Sequence, residues 1–416
     1  MLRQYFSALL WGLAALTFAL AISTPNGYGI PTGLLFLASA SLFYLRPKWC
    51  DLSLEDRRLF YAFLAFGLSM FVFVYLDGWY TRELDRPSRF ILVLPVLLML
   101  LQSSNHKEWL WYGAIVGAIG AFALACYEKF VLGIDRAHGS EYPIMFGNTG
   151  MLLGLLSLAG ASYFLAMKRY FWLSLALIAA IAGIGSSFLS GSRGGWIALP
   201  IIGCFMLWQS RELFSKKSLV GVLVAAFILL GVAVAVPQTG VMKKVDQTLV
   251  SLSQYYSGEN KATSLGMRFD MWVTAYHLFQ ESPILGVGEY GEKAEKKRMV
   301  EQGVIPPAML HFNHAHNEFI NALSQRGLVG LAFLLLVYLV PMRLFIKKME
   351  ANANNWRIKS YAMAGALIPM CYMDFGLSQV MFAHNIGVMM YAFPIVYFWA
   401  ATRWAEREEL GESKSN

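Results

Sequence analysis

The sequence predicts an all-α, polytopic membrane protein with about 12 transmembrane helices and a large extramembrane loop, itself containing helices, between spans nine and ten. Three observations predict it. Of 416 residues, 57% are hydrophobic and 14% charged, against about 25% charged in a soluble globular protein. The apolar residues come in blocks of roughly 17–22, the length that crosses ~30 Å of hydrocarbon at ~1.5 Å per residue. Lysine and arginine concentrate in the short loops on one side of those blocks.

Taken in order, the first nine spans fall near 5–22, 29–45, 59–77, 88–103, 108–126, 144–166, 171–189, 194–209 and 218–236. The first follows MLRQYF, and no small-residue cleavage site follows it, so it reads as a retained helix. A polar stretch, 237–317, comes next. Three spans near 318–345, 360–376 and 385–402 complete the set. The tenth is long for one crossing, so part of it projects beyond the bilayer or bends.

Basic residues set the orientation. With the N-terminus in the cytoplasm, the inner side holds Arg3; Arg46, Lys48, Arg57 and Arg58; Lys107; Lys168 and Arg169; Arg211, Lys216 and Lys217; Arg343, Lys347, Lys348, Arg357 and Lys359; and Arg403, Arg407 and Lys414. Most of the basic residues outside lie between Lys243 and Arg326, in or beside the long loop, and long loops cross regardless of charge. Both termini are therefore expected in the cytoplasm. With no internal repeat or low-complexity segment, the chain reads as a single membrane domain, 1–416, with 237–317 as a loop region within it.

Two function classes fall away. The net charge of +8 comes from basic residues scattered among short loops, which reads as topology and not as a nucleic-acid surface. Cys50, Cys126, Cys204 and Cys371 are far apart, with no CxxC or metal spacing, so free thiols are expected.

Three segments carry chemistry, and the alternation places all of them on the outer side. Ser190-Gly191-Ser192-Arg193-Gly194-Gly195-Trp196 opens span eight. A glycine- and serine-rich turn with an arginine at a helix N-terminus suits a phosphate; a tight turn with a snorkelling arginine fits equally. Gly266-Met267-Arg268-Phe269-Asp270 begins an amphipathic surface helix over 268–280, which Pro283, Gly286, Gly288 and Gly291 end. Arg268 either reaches an anion or pairs with Asp270 or Glu281. The third segment, His311-Phe312-Asn313-His314-Ala315-His316-Asn317-Glu318, holds three of the seven histidines. Asn317 is a good N-cap, and His316 just before it sits where the helix dipole disfavours imidazolium, as a general base requires. Zinc binding and a purely structural cluster are the rival readings. Two arginines suit a pyrophosphate, and a neutral histidine suits deprotonation of a hydroxyl. The basic run Lys293, Lys296, Lys297 and Arg298 is either a phosphate contact or a solvated face.

At these residues the sequence resembles the O-antigen ligase family, within the wider group of O-antigen ligases and polymerases. The family's hallmark is His followed by Asn, Ser or Gln, nine residues and Gly-x-x-Gly. His316-Asn317, residues 318–326 and Gly327-Leu328-Val329-Gly330 match it without a break. The SGSRGG segment resembles the family's arginine loop, and Arg268 matches the arginine near the start of its large-loop helix. The span count and the place of the large loop extend the resemblance over nearly the whole chain.

The resemblance implies an inverting, metal-independent glycosyltransferase with no cofactor, in a bacterial (Gram-negative) inner membrane with a periplasmic active site. Its donor is a glycan on undecaprenyl pyrophosphate, and its acceptor is a sugar of lipid A–core. His316 would be the base, Arg193 and Arg268 would hold the pyrophosphate, and Asn317 would bind substrate with them while capping the helix and orienting His316. The Gly327 and Gly330 pair is expected to let span ten pack closely on a neighbour. An O-antigen polymerase, a protein O-oligosaccharyltransferase and, among non-enzymes, a lipid-linked glycan transporter are the alternatives.

Overall fold

A computed structural model of the chain describes residues 2–103, 106–192, 194–197, 199–213, 215, 217, 221, 241–257 and 263–411. Among them the architecture is helical throughout, without strands. In order the helices are α1 (Leu2–Ala19), α2 (Gly29–Ala38), α3 (Leu42–Leu45), α4 (Leu54–Leu76), α5 (Asp85–Leu100), α6 (Trp109–Cys126), α7 (Pro143–Ala166), α8 (Tyr170–Leu189), α9 (Leu199–Ser210), α10 (Val241–Ser257), α11 (Ser264–Glu281), α12 (Glu289–Glu301), α13 (Glu318–Ala351), α14 (Trp356–Gly376) and α15 (Asn385–Glu409).

Among the described residues, six segments are long and apolar enough to cross a membrane: Leu54–Leu76, Trp109–Val131, Pro143–Ala166, Tyr170–Leu189, Glu318–Ala351 and Asn385–Glu409. Other expected spans are shorter or broken. The second is interrupted at Ser39–Ser41, and the eighth is reduced to the 12 residues of α9 after a 3-10 turn at Gly194–Trp196. The ninth, 218–236, lies outside the described residues apart from Gly221.

Backbones in the bundle approach closely where side chains are smallest. A Cβ on Gly183 of α8 would lie 2.6 Å from the Cα of Gly154 on α7, and one on Gly117 of α6 would lie 2.2 Å from the Phe18 carbonyl of α1. Such contacts are the main packing device where lipid removes the hydrophobic driving force between helices. α7, α14 and α15 form the enclosed centre, where Trp111 of α6 stacks on Tyr361 of α14 and both rings meet Tyr163 of α7.

The loops sort onto two ends. One end carries an ion-pair network: Lys107 with Glu408, Lys347 and Lys348 with Glu55, Lys348 with Glu406, and Arg403 with Asp56. It gathers the loops expected inside. The opposite end gathers 77–87, 127–142, 190–192, 194–197, 264–317 and 377–384, and carries a second, small apolar core of Met271, Leu278, Met299, Ile305 and Met309 under α11 and α12.

Span ten bends, and Gly327 is the reason. Its φ of 62° and ψ of −162° break α13. The gap receives backbone from the large loop: Leu328 N–H donates to Pro283 O (2.9 Å), Val329 to Ile284 (3.1 Å), Val287 to Ser324 (3.1 Å) and Gly288 to Gln325 (3.0 Å). A Cβ on Gly327 would lie 2.4 Å from the Ile284 carbonyl carbon. The expected close packing of Gly327 therefore occurs against a loop and not a neighbouring helix. Gly291, expected to end a helix, instead lies in the first turn of α12, where it and Tyr290 donate to the Asp77 carboxylate at 3.1 and 2.8 Å.

Candidate functional site

His316 stands at the junction of the large loop and α13, in a left-handed conformation (φ 48°). Asn317 is the N-cap, as its sequence position predicts: its side-chain oxygen accepts from Phe319 and Ile320 N–H, both at 3.0 Å. The Asn317 amide also donates to Leu377 O at 3.2 Å, tying this junction to the turn between α14 and α15. On the other side, the Trp272 indole of α11 donates to Ala315 O at 3.0 Å.

That turn supplies the group that orients His316. Gln379 Oε1 lies 2.9 Å from His316 Nδ1 and also accepts the Val380 N–H at 3.2 Å. A backbone N–H only donates, so the Gln379 atom is its oxygen, and His316 Nδ1 must carry the proton. The neutral ring then keeps an unprotonated Nε2. Burial, and after it the Arg268 charge, lower the His316 pKa below the ordinary histidine value, partly offset by the Gln379 bond. The Gln379 amide nitrogen faces His384 Nε2 at 3.1 Å. Burial above all, with nearby cations, lowers His384 to about 4 and His314 to about 3. The His314 ring lies 4.4 Å from that of His316 and 6.3 Å from that of His384.

The expected histidine cluster is thus regrouped. His311 is exposed at the end of a 3-10 turn, and His384, from seventy residues along the chain, joins the other two. Gln379 and His384 were not anticipated; the signal was the polar SQVMFAHN turn between two apolar spans.

Arg268 lies in the first turns of α11, which Thr263 caps by accepting the Gly266 N–H at 3.1 Å. It is close enough for its charge to act on His316. Of the acids offered as its partners by sequence, Glu281 is held by Arg298 at 2.7 Å, and Asp270 accepts from the Tyr255 hydroxyl at 2.9 Å. Arg193 lies outside the described residues, but its neighbours reach the same turn as His316. Ser192 Oγ donates to Asn148 Oδ1 at 3.1 Å, and a Cβ on Gly194 would meet Ser378 Oγ at 1.6 Å. The basic run divides: Lys296 is buried against Glu292 and donates to Phe312 O, Arg298 pairs with Glu281 and Glu295, and Lys293 faces a cavity.

These features define a class: a protein helical among the described residues, with helices long and apolar enough to cross a membrane, that holds an oriented, half-buried histidine near an arginine at one end of its bundle. Residues 178–335 match the family model described as O-antigen ligase, a stretch that contains Arg193, Arg268, His316 and the Gly-x-x-Gly pair. An O-antigen ligase of Escherichia coli is 25% identical over 224 residues, 53% of this chain and 50% of that protein. An uncharacterised protein of Haemophilus influenzae is 29% identical over 381 residues, 91% of this chain and 94% of that protein. Over residues 178–335 the chain is therefore similar to the O-antigen ligase family.

Proposed function

We propose that the protein transfers a glycan from undecaprenyl pyrophosphate to a sugar hydroxyl of lipid A–core, at the periplasmic face of the inner membrane. The observation that carries this reading is the Gln379 oxygen on His316 Nδ1, which leaves Nε2 of a neutral ring to take a proton. The acceptor hydroxyl gives its proton to Nε2 as its oxygen bonds to the anomeric carbon. The bond from that carbon to the phosphate oxygen breaks, and its electron pair leaves on undecaprenyl pyrophosphate. Arg193 and Arg268 hold the pyrophosphate and stabilise the charge that grows on it. Asn317 fixes the junction that presents His316. Proton transfer and leaving-group stabilisation are both supplied by side chains, so the reaction is proposed to run without metal or cofactor.

The test is transfer in vitro from undecaprenyl-pyrophosphate glycan to rough lipopolysaccharide, with and without EDTA. Removing one charge-stabilising donor typically costs about 10²–10³ in rate, and Arg193→Ala and Arg268→Ala should each fall by that order. Normal rates in both would refute the pyrophosphate assignment. Joining of donor glycans to one another in place of the lipopolysaccharide would make the enzyme a polymerase, and glycan movement without a covalent product a transporter.

A further inference from the structure

A cavity of about 400 Å³ at the outer end has no part in that reading. It lies between the outer half of α4, the start of α5, the first turn of α12, the start of α13 and the turn before α15. Phe66, Met70, Phe73 and Val74 make its α4 wall apolar. Around them stand four cationic side chains, Arg82, Arg86, Lys293 and Arg326, and four carboxyl groups, Asp77, Glu83, Glu289 and Glu318.

Two of the four carboxyl groups are committed. Asp77 accepts two backbone N–H groups of α12, and Glu83 is ion-paired with Arg86. Glu318 accepts the Phe382 N–H at 3.0 Å, leaving one oxygen without a partner. Glu289, desolvated and crowded by Glu83, is pushed up to about 7. The cations are less committed. Arg82 and Arg326 close no ion pair among the described residues, and the buried Nε of Arg326 has no hydrogen-bond partner. The Lys293 ammonium lies 4.8 Å over the Tyr290 ring, which stacks on Tyr80 at an interplanar angle of 12°. Donors in surplus call for an acceptor-rich anion, and flat aromatic faces at the rim suit a sugar ring.

Position selects which substrate it takes. His314 and His384 line the cavity and touch the His316 site, whereas Arg268 does not line it. Inversion requires the nucleophile opposite the leaving group, so a chamber on the histidine side belongs to the acceptor. Resting on the ligase reading above, we infer that this cavity seats a phosphate-bearing sugar of the acceptor lipid, with Arg82, Lys293 and Arg326 as its phosphate ligands.

Arg82 and Lys293 are exposed, so Arg82→Gln/Lys293→Gln spares the core. Two readouts apply, each with intact and chemically dephosphorylated rough lipopolysaccharide: acceptor binding without donor, and steady-state transfer. Loss of two charge-assisted bonds should weaken binding of the intact acceptor and raise its KM by about tenfold or more. The donor KM should stay within about twofold. The wild-type protein should prefer the phosphorylated acceptor, and the double variant should lose that preference. A rise in donor KM instead would assign the cavity to the donor pyrophosphate and overturn the inference, as would unchanged acceptor binding. If wild-type protein bound the acceptor as stated yet transferred nothing to it, the ligase reading would fail and the binding assignment would stand.

Discussion

At the scale of single residues, the site depends on which nitrogen of His316 carries the proton. Gln379 settles that by its oxygen, and burial with Arg268 nearby keeps the ring neutral. A base whose pKa lies below the ordinary ~6.5 stays active as pH falls to that value, and loses activity only as the pH drops through its own lowered pKa. Gln379→Glu retains an oxygen for Nδ1–H but places a carboxylate beside the ring, which raises the imidazolium pKa. Its acid limb should therefore move to higher pH while activity at high pH is largely kept. Gln379→Ala frees the tautomer and should lower kcat at every pH. Identical pH–rate profiles for wild type and Gln379→Glu would remove Gln379 as the positioning residue. His316→Ala should cost far more than His314→Ala, and His311→Ala least, since His311 is exposed and apart. Equal losses from all three would favour a metal or structural cluster.

At the scale of elements, the nine-residue spacing between Asn317 and Gly327 acquires a physical meaning. Residues 318–326 form the first part of α13, about 13.5 Å long at ~1.5 Å per residue. Asn317 fixes one end and the Gly327 break the other, where loop 283–288 docks by four backbone hydrogen bonds. The spacing thus holds the histidine at a set distance from the clamp that anchors the large loop. Gly327→Leu introduces a side chain at positive φ into a contact already at 2.4 Å for Cβ. Strain of this kind costs of order 1–3 kcal/mol before any clash. The variant should unfold at lower temperature in detergent and lose binding and turnover together; a protein of normal thermal stability that is selectively inactive would show that Gly327 acts in the chemistry.

The same elements show what was legible beforehand. Apolar run length found the helices from α4 to α8, and the Asn317 cap and the Arg268 helix lay close to where local pattern put them. The pattern did not reveal the break inside span ten, because Gly327 reads as an ordinary packing glycine until the partner loop is known. It also missed Gln379 and His384, whose roles come from contacts with His316 and His314 across more than sixty residues, beyond the reach of periodicity.

At the scale of the whole molecule, burial is distributed unevenly, and charge with it. α15 is almost wholly enclosed while α4 and α8 leave one face bare, with Val72, Leu68, Ile178 and Ile181 exposed, as helices meeting lipid should. The two ends differ in kind. One is clamped by ion pairs among the basic loops, with Asp56 also accepting the Trp399 indole N–H at 2.8 Å; the other holds the cavity, the histidines and the loop module. From positive-inside bias we propose that the first end is cytoplasmic, and natural cysteines allow a direct check. Cys50 is exposed in a 3-10 turn at the ion-paired end, and Leu310 is exposed beside the histidines. A protein retaining only Cys50, with Cys126, Cys204 and Cys371 replaced by alanine, should resist a membrane-impermeant thiol reagent in intact spheroplasts and react after lysis. Adding Cys50→Ala and Leu310→Cys should reverse the result, with labelling before lysis. Modification of Cys50 in sealed spheroplasts would invert the protein and put the histidine site in the cytoplasm, where a periplasmic transfer could not occur.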